Sequence, residues 1–166
     1  MQVMEHDAVA AFVEQWKRER PDLDPSPLLV IGRLFRVTEA LDKHLRPPFA
    51  AAELGNGDFD VLAALRRSGE PYALAPGELS RTILVTTGAI TKRVDRLEAR
   101  GLVTRAVTEA DARGRVVTLT ESGRALTDEL MAAHLENQRG LLGALSEKEQ
   151  ERLAELLGRL ARSLDD

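Results

Sequence analysis

Two stretches of sequence decide the fold of this chain: Thr86-Thr-Gly-Ala-Ile-Thr-Lys-Arg-Val-Asp-Arg-Leu-Glu-Ala-Arg-Gly101 and Asp111-Ala-Arg-Gly-Arg-Val-Val-Thr-Leu-Thr-Glu-Ser-Gly123. The first predicts a helix that begins near Thr86, because Ile90, Val94 and Leu97 recur at helical spacing and form one apolar stripe. The second is a basic turn that leads into a β-branched run. Together with the preceding run from Leu102 to Val107, it predicts a β-hairpin with a charged tip.

The helix from Thr86 also has a polar side. At about 100° per residue, Lys92 and Arg96 fall opposite the apolar stripe. Thr86, Thr87 and Thr91 crowd its first turns, which are the part of a recognition helix that reaches base edges and phosphates. A helix followed at once by a basic hairpin is typical of a winged helix-turn-helix, which places the helix in the major groove of DNA and the hairpin loop over the minor groove. The pattern therefore predicts binding to double-stranded DNA.

Arg93 differs from the other basic residues of this helix. It falls about 60° from the centre of the apolar stripe, so its stem would lie along the interior of the domain instead of pointing into a groove. One interpretation is a structural ion pair with Asp60 or Asp95. The other is that Arg93 holds an anion. The sequence leaves both interpretations open.

Charge is unevenly distributed along the chain. The net charge is −4, from 23 Lys and Arg against 27 Asp and Glu. Between Arg81 and Arg115, however, eight basic residues face only four acidic ones. This asymmetry concentrates attraction for phosphate where the predicted DNA-reading motif lies.

Composition excludes several other classes of protein. The chain has no cysteine, which excludes disulfides, thiolate metal sites and thiol-based redox sensing. No segment approaches the roughly 20 apolar residues of a membrane span, and no basic, apolar leader opens the chain, so we expect a cytoplasmic protein. The three histidines are scattered and no glycine-rich phosphate loop follows a strand, so we expect neither an enzyme nor a cofactor.

The segments on either side of the motif predict helices. Their apolar spacing, caps and prolines give Asp7 to Arg20, about Pro27 to Leu45 with Ser26 as N-cap, Asp58 to Arg67, Pro76 to Leu84, Glu121 to Leu142 with Thr120 as cap, and a last helix opened by the capping box Ser146-Glu-Lys-Glu149. The predicted fold class is mainly α with a small β-hairpin wing, a winged helix-turn-helix flanked by long dimerisation helices.

The apolar surface of the long helices exceeds what one small winged domain can cover, which predicts a homodimer. We divide the chain accordingly. Residues 1–50 would form an added N-terminal helix and the first dimerisation helix, residues 51–120 the DNA-binding domain, and residues 121–166 the C-terminal dimerisation helices.

The wing carries a family resemblance. Gly101-Leu-Val103 and the pattern Asp111-x-Arg113-x-x-x-Val117-x-Leu119-Thr120-x-x-Gly123, with the flanking helices, resemble the MarR family of bacterial winged-helix repressors over residues 27–163. The resemblance implies a homodimer on a pseudo-palindromic operator. It also implies that Arg113 enters the minor groove and that Asp111 orients it, while the helix from Thr86 enters the major groove.

The N-terminal part is similar to one subgroup of that family, which responds to urate and related purines or phenolic anions. That subgroup places its ligand between a tryptophan on an added helix, an aspartate before Val-Leu and an arginine on the recognition helix. The resemblance thus implies Trp16, Asp60 and Arg93 as ligand residues, and a repressor released by a small anionic aromatic or purine ligand such as urate. Trp16 also has a plainer interpretation as a core or interface anchor.

This chain departs from many members of the subgroup at one position. It has Thr91-Lys92-Arg93 where they have Thr-Asn-Arg, which puts its DNA preference and its effector response in question.

Two alternatives stay open on the sequence. A metal-responsive repressor would use His44 or His134 with carboxylates from the dimer partner. A winged helix used only for protein contacts would need no basic wing, and Arg113 and Arg115 argue against that function.

Overall fold

A computed structural model describes residues 7–55, 57–83, 87–107 and 115–165, and they are mainly helical with one small antiparallel sheet. The chain forms two compact units, one up to Pro47 and one from Pro48 onward. In chain order the elements are α1 (Ala8–Glu19), α2 (Leu28–Leu45), α3 (Pro47–Ala51), α4 (Asp58–Arg67), β1 (Ala73–Leu74), α5 (Pro76–Thr82), α6 (Thr87–Ala99), β2 (Val103–Val107), β3 (Arg115–Leu119), α7 (Glu121–Leu142) and α8 (Glu147–Asp165).

Helix α1 is fixed at its start by an aspartate with two functions. Asp7 Oδ1 accepts hydrogen bonds from the backbone N–H of Val9 and of Ala10, at 3.1 and 3.3 Å, and so caps the helix. Its other oxygen accepts from Arg33 of α2, at 3.0 Å from Nε and 2.5 Å from Nη2. The Arg33 guanidinium and the two amides lower the pKa of Asp7 below its usual range.

Helices α1 and α2 approach each other closely in the first unit. Val9 and Val13 are buried, and a Cβ added to Gly32 would lie 3.0 Å from Val9 Cγ1. The prediction that Ser26 caps α2 is wrong. Ser26 Oγ instead donates to Asp24 at 2.9 Å, and α2 begins after Pro27, where no side chain of the described residues caps it.

The sheet of the second unit has the order β1-β3-β2, so β3 lies in the centre. In the β2–β3 pair Arg105 lies opposite Val117, and in the β1–β3 pair Leu74 lies opposite the same residue. The predicted hairpin is confirmed, and β1 adds a third strand that the sequence did not predict. The strand is two residues long and pairs with a segment more than 40 positions away, so no local pattern announces it.

The core of the second unit lies between α4, α5, α6 and the sheet. Its fully buried apolar side chains include Val61, Leu62, Leu65, Leu79, Ile90, Val94, Leu97, Val103 and Val117. The predicted apolar stripe of α6 is therefore confirmed, and α6 is fixed to the sheet side of the domain by it.

The start of α7 is locked to the start of β2. Thr120 caps α7 as predicted, because its Oγ1 accepts from the N–H of Gly123 at 3.0 Å. Its backbone N–H donates to the carbonyl of Leu102 at 3.1 Å. A Cβ on Gly123 would lie 2.0 Å from that same carbonyl oxygen, so only glycine fits this contact. The cap and this close contact thus explain why threonine and glycine occupy the Thr120-x-x-Gly123 part of the wing pattern.

Helix α8 presents apolar side chains to its surroundings. Glu149 accepts from the backbone N–H of Ser146 at 2.8 Å, as the predicted capping box requires. Beyond this start, large apolar side chains are exposed to between 39% and 77%: Leu153, Leu156, Leu157 and Leu164. The predicted fold class, mainly α with a small β wing, is confirmed.

Candidate nucleic-acid interface

Helices α5 and α6 form the helix-turn-helix. Pro76 opens α5, where a missing N–H costs nothing. Glu78 accepts from the backbone N–H of Ala75 at 2.8 Å, and Leu79 anchors α5 in the core. The apolar stripe of α6 anchors that helix in the same core, so one face of each helix is buried. The opposite faces are exposed and can contact DNA.

The open side of α6 carries two of the predicted DNA contacts. Thr91 and Lys92 are exposed. Thr87 begins α6 and Arg115 begins β3 opposite Val107, but their side chains are outside the described part of the chain. Thr86, Asp111 and Arg113 lie outside the described residues altogether.

Arg93 and Arg96 of α6, and Arg100 directly after the helix, reach a single segment, residues 53–58, which we call the anchor segment; Asn56 within it is not described. Arg100 Nη1 donates to the carbonyl of Glu53 at 2.9 Å. Arg93 Nη1 donates to the carbonyl of Gly57 at 3.4 Å. Arg96 pairs with Asp58 at the end of the segment.

The Arg96–Asp58 pair is the strongest of the three contacts. Arg96 Nη2 lies 2.5 Å from Asp58 Oδ1, and Arg96 Nε lies 3.2 Å from Oδ2. The backbone N–H of Gly55 donates to Oδ2 at 2.8 Å. Asp58 is 2% exposed, and its hydrogen bond raises the pKa of Arg96 above its ordinary value. Arg96, predicted to contact DNA, is thus held by a buried carboxylate, although its side chain is still 49% exposed.

Asp58 was not among the residues that the sequence predicted to be functional. It is the first residue of α4 and is followed by the core residues Phe59, Val61 and Leu62. An acidic residue among buried neighbours needs a partner, and this was the signal available in the sequence. The partner lies 38 positions away, which no local pattern reveals.

The wing is tied to α6 by another arginine. Arg105 of β2 donates from Nη2 to Asp95 at 2.5 Å and to the carbonyl of Thr91 at 3.3 Å. Its Nη1 lies 3.3 Å from Glu98 Oε2. Asp95, considered as a partner of Arg93, therefore pairs with Arg105 instead.

The predicted ligand residues lie in different units. Trp16 is on α1 and is 49% exposed. In the second unit, Asp60 is exposed in the first turn of α4. Arg93 is half-buried, with its guanidinium packed over Gly57. No Arg93–Asp60 ion pair occurs among the described residues.

His134 was considered as a metal ligand. Its Nε2 lies 2.9 Å from Gln138 Nε2, and its ring packs against Phe49 and Phe59. Its Nδ1 is buried and has no hydrogen-bond partner among the residues that the structure describes. Across the described ranges, no group of three or more His, Asp or Glu side chains is placed to hold a metal ion.

A winged helix-turn-helix with an open recognition helix defines a class of DNA-binding proteins, and comparisons identify the family within it. A model of the MarR family matches residues 54–114. PecS, an HTH-type transcriptional regulator of Dickeya dadantii (strain 3937), is 41% identical over 156 residues, which cover 94% of each chain. The chain therefore belongs to the MarR family and is a DNA-binding regulator of transcription, not an enzyme.

Solved structures agree with this assignment. A mutant of E. coli MarR in complex with operator DNA is 26% identical with a TM-score of 0.70, over 87% of this chain and 96% of that one. Bordetella bronchiseptica BpsR, whose DNA binding is regulated by 6-hydroxynicotinic acid, is 26% identical with a TM-score of 0.69, over 79% and 92%. None of the described helices has the length and apolar character to cross a membrane.

Proposed function

We propose that this protein is a cytoplasmic repressor that binds a pseudo-palindromic operator as a homodimer and is released by a small anionic aromatic or purine ligand such as urate. The observation that carries the DNA part is the arrangement of α6. Its buried stripe fixes the helix, and its opposite side presents Thr91 and Lys92. We propose that these two residues and Thr86 and Thr87 contact the major groove.

The wing supplies the second part of the proposed contact. Arg113 would enter the minor groove of the DNA with Asp111 orienting it, and Arg115 would contact the nearby DNA backbone. The antiparallel pairing of β2 and β3, which brings the two ends of the loop together at Val107 and Arg115, supports this proposal. Substituting Arg113 by Ala should weaken operator binding by about 1–3 kcal/mol without unfolding the protein.

The homodimer is supported by apolar surface that a monomer would leave in water. On α8 the four exposed leucines are Leu153, Leu156, Leu157 and Leu164, and on α2 Val30 and Phe35 are 58% and 72% exposed. Large exposed patches of this kind mark interfaces between proteins. A symmetric dimer would also present two copies of α6 to two half-sites.

The effector part rests on the chemistry of three residues. Arg93 would counter the negative charge of the ligand, Trp16 would pack on its ring, and Asp60 would accept a hydrogen bond. Two observations support this proposal. Within the part of the chain that the structure describes, Arg93 makes one hydrogen bond, at 3.4 Å, to the carbonyl of Gly57, so little is lost when it turns to a ligand. The relative BpsR is regulated by 6-hydroxynicotinic acid, which is an aromatic carboxylic acid.

The experiment that tests this function is a thermal-shift screen of the purified protein with purines, phenolic acids and divalent metals. Each hit is then added to a complex of the protein with an operator duplex, and operator occupancy is measured by fluorescence anisotropy. A purine or phenolic acid that stabilises the protein and lowers occupancy supports the proposal. Stabilisation by a divalent metal alone would favour the metal-responsive alternative, and occupancy unchanged by every hit would contradict the release mechanism.

A further inference from the structure

Arg93 and Arg96 of α6, and Arg100 directly after its last residue, reach the anchor segment from one flank of the helix. Arg93, Arg96 and Arg100 are spaced i, i+3, i+7, which places them in a row along the helix. Each donates to the anchor segment, two of them to carbonyl oxygens and Arg96 to the carboxylate of Asp58. Arg96, which the sequence pattern placed opposite the apolar stripe, is therefore engaged within the protein together with Arg93 and Arg100.

We propose that Arg96 is a positioning residue and not a contact to DNA: its paired hydrogen bonds to buried Asp58 fix the rotation of α6 about its own axis. This reassigns a residue that sequence alone places on the DNA-binding face. It rests on the proposed operator contacts of α6, and the experiment below tests those contacts separately.

The geometry explains why two anchors are needed. Ile90, Val94 and Leu97 hold α6 along one line, and aliphatic contacts are not directional. A helix held along one line keeps some freedom to roll. Arg96 lies about 120° around the helix from that line, and its two hydrogen bonds to Asp58 have fixed directions. A roll of α6 would break this pair, so the pair sets the angle at which Lys92, one turn away, is presented.

Burial of Asp58 favours an Arg96–Asp58 ion pair that stays intact. The Asp58 carboxylate is buried, and its partners among the described residues are Arg96 and the N–H of Gly55. If Arg96 turned to a phosphate, the buried charge of Asp58 would lose its ion pair and keep, among the described residues, the hydrogen bond from Gly55, which is costly. A phosphate contact by Arg96 would therefore be weakened by the cost of opening the pair.

Substitution of Gly55 provides an independent test of the inference. A Cβ at this position would lie 2.9 Å from Asp58 Oδ2 and 3.4 Å from Arg96 Nε. The substitution Gly55→Ala would therefore push on the pair without changing any charge. If Arg96 acts only by touching DNA, Gly55→Ala should leave DNA binding unchanged.

The test measures operator affinity as a function of salt for the wild type, Arg96→Lys, Arg96→Ala, Gly55→Ala and Lys92→Ala, with circular dichroism to confirm folding. A duplex from random-site selection serves as operator, and a scrambled duplex reports non-specific binding. Lysine keeps the positive charge but cannot reproduce the paired bonds of the guanidinium. A positioning residue should therefore lose about tenfold in operator affinity on Arg96→Lys and on Gly55→Ala, with little change on the scrambled duplex and with the wild-type salt slope.

The outcomes separate the two proposals. The preference of the wild type for the operator over the scrambled duplex tests DNA recognition. A slope of log affinity against log salt that falls by about 1 in Lys92→Ala tests the contact of α6 with phosphate. The positioning role is overturned if Arg96→Lys binds like the wild type, or if Arg96→Ala reduces the salt slope as Lys92→Ala does. It is also overturned if Gly55→Ala keeps wild-type operator affinity. Arg96→Lys and Gly55→Ala decide the matter even if Arg96→Ala does not fold.

Discussion

Arg105 of the wing donates to Asp95 of the recognition helix, with 2.5 Å between Nη2 and Oδ1. The same guanidinium reaches Glu98 and the carbonyl of Thr91, so one side chain ties β2 to three points of α6. The Arg105 side chain is 23% exposed, which shields these bonds partly from water. The two parts of the protein that are proposed to contact DNA are therefore coupled mechanically.

Removal of this tie should cost stability. We expect Arg105→Ala to lower the free energy of unfolding by about 1–2 kcal/mol, because it breaks several charge-assisted bonds in a partly shielded site. Urea denaturation measures the change. The control is Arg152→Ala on α8, whose pair with Glu155 is exposed on both sides and should contribute less than about 0.5 kcal/mol. Equal losses of unfolding free energy in the two variants would contradict a stabilising role of the Arg105 contacts.

The junction of β2 and α7 should tolerate no side chain at Gly123. The Cβ of Gly123→Ala would collide with the backbone oxygen of Leu102, so we expect a loss of about 1–3 kcal/mol in unfolding free energy. Gly140 in the same helix has open space around its position. Gly140→Ala should be neutral or stabilise by up to about 1 kcal/mol, since alanine is the better helix former. If both variants were equally stable, the collision would not exist in solution.

The exposed leucines of α8 should control assembly. Serine at both Leu153 and Leu156 should shift the protein from dimer to monomer in sedimentation velocity, because the apolar patch would lose its central side chains. Leu23 is the control: it has similar exposure, 48%, but belongs to the segment that connects α1 to α2. Leu23→Ser should leave the assembly unchanged. A wild type that sediments as a monomer and binds operator tightly would refute the dimer.

The effector should be visible through the only tryptophan of the chain. Titration with urate, xanthine and salicylate should change Trp16 fluorescence and lower operator occupancy in parallel, because the ligand must bind free protein more tightly than the DNA complex. Arg93→Ala should weaken both responses by removing the proposed counter-charge. Quenching that persists unchanged in Arg93→Ala would leave Trp16 as a packing residue.

Structure that depends on neighbouring residues could be predicted from the sequence, whereas contacts between distant positions could not. Helices α4 and α7 begin and end where predicted, because glycines, prolines and the Thr120 cap act within a few residues. Strand β1 and the Asp58–Arg96 pair were not predicted, because each joins positions far apart in the chain. Ser26 was assigned to the wrong function since the nearby Asp24 competes for its hydroxyl. Polar residues have several possible partners, so their functions are harder to predict than the positions of apolar ones.

Random-site selection followed by fluorescence anisotropy tests most directly the central claim that α6 and the wing bind a specific duplex with two-fold symmetry. We expect the selected duplexes to contain two inverted half-sites about one helical turn apart. The dimer should bind them at least about 10³-fold more tightly than a scrambled duplex, with an affinity that falls steeply as salt rises. Equal affinity for selected and scrambled duplexes, or selected sequences with no inverted repeat, would contradict the claim.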